Sequence, residues 1–313
     1  MKKMSIRKAY GEALADYGAE NPDVVVVVAD VSSSVQTGFF AERFPERFFN
    51  VGITEQAMVD FAVGLALGGM IPFANTFAVL FLRAAEQIRT CVAYAETNVK
   101  LVGSYSGLSN FKDGPTHHAE CDVAVMRAMP NMTVVEAADA VEARKMVPAV
   151  AEHEGPVYLR ISRSDVPVLF EESYEVKIGR GVILRDGGDV ALIASGVMVS
   201  RCLEAAEKLT NEGIDAYVVD MSTIKPLDVD LVWKLAEETG ALVTAEDHSI
   251  IGGLGSAVAE ALGEKKPANL ERIGVRDTFT ETSLNYEELL DHYGMSVEDI
   301  VKAARRAVER KRK

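Results

Sequence analysis

A glutamate at the point where a strand hands over to a helix is a candidate for moving a proton. Glu55 holds such a position in the run Asn50-Val51-Gly52-Ile53-Thr54-Glu55-Gln56-Ala57-Met58. A carboxylate at that junction is partly desolvated, which suits it to hydrogen-bond a ring nitrogen and help move a proton. The plainer reading is a helix-start carboxylate stabilised by the helix dipole. A second concentration of reactive groups lies in 103–122, which contains Asp113-Gly114-Pro115-Thr116-His117-His118-Ala119-Glu120-Cys121-Asp122. A long loop punctuated by Gly and Pro and dense in titratable groups is suited to function. It offers metal-ligand types, but adjacent His117 and His118 diverge in an extended loop. No spacing matches the i, i+4 pattern of a helical zinc site, so no metal is expected there.

Other candidates carry less. His153 and His292 fall on helical surfaces, and His248, in Glu246-Asp247-His248-Ser249, reads as a loop histidine with its bonds satisfied. Gly252-Gly253-Leu254-Gly255 opens a helix but lacks the strand–GxGxxG–helix order and the acidic residue ~20 positions on that a dinucleotide needs. It reads as a turn packed against a sheet.

Alternating strands and helices must position these groups. In the first half, 5–18 has helical periodicity and 24–29 is an unbroken apolar run ending at Asp30, as expected of a strand buried on both faces. Helices follow at 52–68 and 140–153, with strands at 99–103, 133–135 and 156–162. After a Gly- and Pro-rich stretch, strands at 190–194, 216–219, 241–245 and 270–275 alternate with helices at 199–211, 228–238 and 256–262. A basic amphipathic helix covers 297–313. The pattern predicts an α/β protein of two doubly wound domains with mainly parallel sheets, 1–168 and 189–313, joined by a linker at 169–188. Ligands in such sheets bind at the carboxyl ends of the strands. Asp30 to Ser34, Thr54-Glu55, 105–118 and Ser162-Arg163 all fall there.

Bulk properties narrow the function. A chain of 313 residues exceeds the ~250–300 at which single cores stop growing. With 47 acidic against 33 basic residues, the net charge of −14 argues against nucleic acid or an anionic membrane as partner. Any anionic substrate must be held by a few local arginines. Three scattered cysteines form no disulfide framework and fit a reducing cytoplasm. No charge interrupts 61–82, but Gly68-Gly69, Pro72 and Asn75 break it into a buried helix, a turn and a second buried segment rather than a membrane span. The amino-terminal residues carry no signal-peptide pattern.

Taken together the segments resemble the C-terminal part of the transketolase family, which depends on thiamine diphosphate. The likeness rests on Ile6-Arg7-Lys8, Ala29-Asp30-Val31-Ser32-Ser33-Ser34, Gly52-Ile53-Thr54-Glu55-Gln56, Asn75-Thr76-Phe77, Lys112-Asp113-Gly114-Pro115-Thr116-His117, Ile161-Ser162-Arg163 and Gly274-Val275-Arg276-Asp277. The resemblance implies that Glu55 bonds the cofactor's aminopyrimidine ring and relays the proton lost from C2 of its thiazolium. It implies that Phe77 and Phe81 stack on the pyrimidine and that Asp30 lies near the cationic ring. His117 and Asp113 would contact donor-sugar hydroxyls, and Arg7, Ser34 and Arg163 a substrate phosphate. Tyr105 stands where the family's phosphate site has a histidine, which opens the way to an unphosphorylated or unusual sugar.

The family's Mg²⁺–diphosphate motif, Gly-Asp-Gly, occurs nowhere in the sequence. The resemblance therefore implies one subunit of a split transketolase, active only with an N-terminal partner that brings Mg²⁺ and diphosphate ligands, in a heterotetramer of two chains each. A subunit of a deoxyxylulose-phosphate synthase or the β-subunit of a 2-oxoacid dehydrogenase are alternatives, as is a noncatalytic binding or regulatory subunit. Asp-Gly-Pro-Thr-His followed by Ser162-Arg163 favours sugar transfer.

Overall fold

The structure is a computed structural model that describes residues 2–311. Strands β1 (Lys3–Ser5), β2 (Val24–Val28), β3 (Phe48–Asn50), β4 (Ile71–Phe77), β5 (Lys100–Ser104), β6 (Thr133–Glu136), β7 (Val157–Ile161) and β8 (Asp165–Pro167) come from the first half. The second half supplies β9 (Val182–Arg185), β10 (Val190–Ala194), β11 (Ala216–Asp220), β12 (Thr223–Lys225), β13 (Ala241–Ser249) and β14 (Asn269–Val275). One sheet runs β12-β6-β7-β5-β4-β2-β3 and is parallel except for β12. The other runs β14-β13-β10-β11-β9 and is parallel except for β9. β1 and β8 form a small antiparallel pair.

The five valines of β2 show how sequence becomes sheet. All are buried. Because side chains alternate along a strand, Val24, Val26 and Val28 meet Ile6, Tyr10 and Leu14 of the helix Ile6–Glu20 on one face. Val27 points to the other face, toward Met58 and Val59 of the helix Glu55–Leu67. Each such side chain contributes roughly 1.5–3 kcal/mol by leaving water. The second sheet repeats the plan, with Leu192 and Ile193 on opposite faces. The helix Val297–Lys311 lays Ile300, Val301, Ala304 and Val308 into the core; the last two residues of the basic tail lie outside the described residues.

Three local readings change. The apolar run 61–82 holds a central strand, β4, between β2 and β5. Pro72 and Asn75 read as breakers, yet Asn75 accepts from the Tyr10 hydroxyl at 2.6 Å and donates to the Phe73 carbonyl at 2.8 Å, so its burial is paid for. The stretch 169–188 is no bare linker, since β9 closes the edge of the second sheet. Strand β12 crosses from the second half into the first sheet. His248 lies within β13, fully buried, rather than in a loop. No helix of the described residues is long and apolar enough to cross a membrane.

Candidate active site

The carboxyl ends of the first sheet carry most of the residues singled out in the sequence. β2 lies between β3 and β4, so the chain leaves it to one side and returns on the other, opening a crevice at this end. Asp30 follows β2, Phe77 ends β4, Tyr105 follows β5, and Ser162-Arg163 follow β7. Asp30 and Tyr105 both adopt left-handed backbone, with φ of 60° and 61°. For non-glycine residues this costs of order 1–3 kcal/mol and concentrates at functional sites.

Glu55 is the first residue of the helix Glu55–Leu67 and is 1% exposed. Neither carboxylate oxygen has a hydrogen-bond partner. Arg83, itself exposed, places its Nε 3.6 Å away. Thr54 precedes the helix without a side-chain cap. A buried carboxylate left without donors is costly, so this one is suited to receive a donor from outside the chain.

A second group assembles around Tyr105. Its ring lies 4.3 Å from Phe77, and Phe77 in turn meets His117 edge-on at 6.3 Å. Arg7 donates from Nη1 to the Tyr105 hydroxyl at 2.8 Å and to the Ser34 carbonyl at 2.5 Å. The guanidinium groups of Arg7 and Arg163 lie 4.8 and 5.2 Å from the Tyr105 ring centre. Among the described residues neither arginine forms an ion pair with a carboxylate. Burial holds Arg7 below the ordinary guanidinium pKa, an effect that nearby Arg163 reinforces and Tyr105 opposes. Two guanidinium groups on one aromatic ring, in a chain of net charge −14, are chemically able to receive an anion.

The structure thus joins Arg7, Ser34, Phe77, Tyr105, His117 and Arg163. Ser34 takes part through its backbone carbonyl. Asp30 is exposed and exchanges bonds with Asn50, whose Nδ2 donates to it at 3.1 Å. Asp113 is exposed on the loop. Phe81 is fully buried, edge-on to Tyr158 at 5.9 Å, and offers no open ring face.

Sequence reasoning missed what holds the loop. Arg160 is wholly buried in β7 and donates to Asp122 at 2.8 Å, Glu136 at 2.7 Å, and the carbonyls of Ala119 and Asp247 at 2.9 Å each. Burial works against its charge, but Asp122 and Glu136 more than offset it and raise its pKa. Burial likewise opposes ionisation of Asp122, yet Arg160 carries its pKa below the ordinary value. The Asp247 carboxylate accepts from the Leu108 amide at 3.0 Å and the Tyr286 hydroxyl at 2.7 Å, and burial raises its pKa to about 6. Gly107, at φ 56°, leaves room for that carboxylate: a Cβ there would stand 2.0 Å from it. A sequence signal existed, because Arg160 interrupts the otherwise apolar Val157-Tyr158-Leu159-Arg160-Ile161.

The chain matches the transketolase pyrimidine-binding domain over residues 2–168 and the transketolase C-terminal domain over residues 179–300. It is 44% identical over 301 residues to a protein described as a transketolase C-terminal section from Methanocaldococcus jannaschii, covering 95% of this chain and 94% of the relative. It is 41% identical over 307 residues to a 6-deoxy-6-sulfo-D-fructose transketolase subunit from Clostridium sp. strain MSTE9, covering 98% and 95%. A solved structure described as a split gene transketolase, inactive beta4 tetramer, superposes with a TM-score of 0.92 at 46% identity, covering 98% of this chain and 99% of that one. With both halves matched and relatives covered almost end to end, the chain belongs to the transketolase family as a subunit of the split type.

Proposed function

We propose that this chain is the pyrimidine-binding subunit of a two-chain transketolase that moves a two-carbon ketol unit between sugars carrying a terminal anion. The observation that carries this reading is the pairing, at one end of one sheet, of a buried carboxylate without donors and two guanidinium groups without carboxylates. Thiamine diphosphate, when bound, supplies the carbon nucleophile and electron sink. Glu55 would hold a ring nitrogen of the cofactor and carry a proton there, matching its lack of any internal donor. The half-buried Phe77 ring gives that ring an apolar face, and Asp30 offers negative charge near the cationic one. Phe81 serves as packing behind them. His117 donates to hydroxyls or a developing oxyanion of the sugar, with Asp113 on the same loop. Arg7 and Arg163 grip the anion.

Absence of Gly-Asp-Gly from the sequence supports a partner chain that brings Mg²⁺ and the diphosphate ligands. So do Ile53, Phe61, Leu67 and Tyr94, large apolar side chains exposed on and around the helix that begins with Glu55. The related tetramer of a single chain type is described as inactive, which agrees with activity needing a second chain. We expect calorimetry on the isolated chain to show no micromolar binding of cofactor with Mg²⁺. Light scattering on the complex with its partner should give the mass of two chains of each kind. Micromolar binding by the lone chain, or an active one-to-one pair, would overturn the assignment.

Substrate charge is the second test. Tyr105 brings no cation where the family has a histidine, and a relative acts on a sulfonated sugar by its name; phosphate and sulfonate both suit guanidinium forks. Arg163→Ala should raise KM for anionic ketoses about 10-fold with little change in kcat, because binding common to ground and transition states is lost. Equal KM for anionic and uncharged ketoses before and after substitution would make Arg163 structural.

A further inference from the structure

The family resemblance places chemistry on the first half of the chain, but its histidine loop is anchored by the second. Residues 276–285 follow β14 and lie across the loop as a strap. Thr280 is 1% exposed, and its backbone amide donates to the Glu120 carboxylate at 2.9 Å. Its hydroxyl also donates to that carboxylate and stands 2.6 Å from Nδ1 of His118. His118 is 3% exposed, with Nε2 3.2 Å from the Asn110 carbonyl. The amide of Ser283 donates to the Phe111 carbonyl at 2.8 Å, and Tyr293 accepts the Glu281 amide at 2.8 Å. Among the described residues His117 makes no hydrogen bond to the strap: its amide and that of His118 donate to the Gly114 carbonyl at 2.9 and 3.1 Å. Both histidines close the turn that starts at Gly114, so tying down the His118 side chain restrains its neighbour His117.

We propose that Thr280 is a positioning residue for His117, acting through His118 and Glu120, so that the C-terminal domain sets the geometry of the sugar-binding histidine. This rests on the reading of His117 given above. The geometry allows no direct role, since Thr280 is sealed from solvent, and makes the hydroxyl the functional part of the side chain. Loss of the hydroxyl would release the His118 side chain and let the turn beside it shift, and misplacing a catalytic group by 1 Å costs roughly 10²-fold.

Thr280→Val removes the hydroxyl at constant volume, and Thr280→Ser keeps it. Amide hydrogen exchange on the full chain should quicken about 5-fold at His117 and His118 in the valine variant, the equivalent of one net hydrogen bond, and stay unchanged in the serine variant. In the complex with its partner, Thr280→Val should lower kcat for ketol transfer about 10-fold while proton exchange at the cofactor's C2 keeps its rate; Thr280→Ser should restore kcat. Unchanged amide exchange in Thr280→Val, acceleration spread over both sheets, or an undiminished kcat would each overturn the proposal. If the wild-type complex transfers no ketol group, the reading of the site fails, while the amide-exchange result still decides whether Thr280 anchors the loop.

Discussion

Glu55→Gln is expected to slow release of the C2 proton from bound thiamine diphosphate by at least ~10²-fold, the lower range for general acid–base effects. Glutamine keeps the shape and can still meet a ring nitrogen, but it cannot take up or give back a proton. Stability should move the other way. Both Glu55 oxygens are buried without hydrogen bonds, and the nearest cation, Arg83, stands at 3.6 Å on an exposed side chain. A neutral amide removes a buried charge whose counter-ion is solvent-exposed and makes no hydrogen bond to it, so the isolated variant should melt at or above the wild-type temperature. Such opposition between stability and activity is the mark of a group retained for chemistry. Deuterium exchange at C2 in the complex, set beside thermal melts of the single chain, reads both effects. An unchanged exchange rate, or a melting temperature that drops by several degrees, would make Glu55 a structural residue.

Part of this was legible in the residues. The apolar run 24–29 and the alternation of strands and helices read as a buried parallel sheet, because a strand covered on both faces is built mostly from apolar side chains. The strand pattern placed Tyr105, His117 and Arg163 at carboxyl ends, but Arg7, up to 156 positions away, was linked to them only through resemblance; the geometry that joins them depends on which strands become neighbours. Elements where tertiary satisfaction overrides local chemistry escaped notice. Pro72 and Asn75 look like breakers until Tyr10 supplies the missing bond. β12 is too short to announce itself, and it takes its place by pairing with β6 across the chain. Arg160 was the clearest missed signal, since its partners Asp122, Glu136 and Asp247 lie on other elements.

That arginine carries the largest stability prediction. Arg160→Met is expected to destabilise the chain by about 3–5 kcal/mol, because Asp122 and Glu136 would remain buried without their counterion. Methionine fills much of the same volume, so the loss is electrostatic rather than a cavity. Its pH dependence separates the two. In the wild type Arg160 lowers the pKa of Asp122, so that carboxylate adds stability above its unfolded value near 3.8 and loses it as pH falls. Without the guanidinium, burial disfavours the charged form and the variant suffers most at neutral pH. The gap between the two proteins should therefore narrow as pH drops toward about 4. A triple variant, Arg160→Met with Asp122→Asn and Glu136→Gln, should recover a large share of the loss, since both carboxylates that ion-pair with Arg160 are then neutral. Urea unfolding of the three proteins at pH 7 and pH 4.5 decides the matter. A single variant within about 1 kcal/mol of wild type at pH 7 would refute the network's role, and a gap independent of pH would point to packing. Arg160 also holds the Ala119 carbonyl, two residues beyond His117. The triple variant, refolded but without that bond, should then keep its stability while the loop around His117 exchanges faster. Fold and site meet at this one side chain, a lone arginine in an otherwise apolar strand.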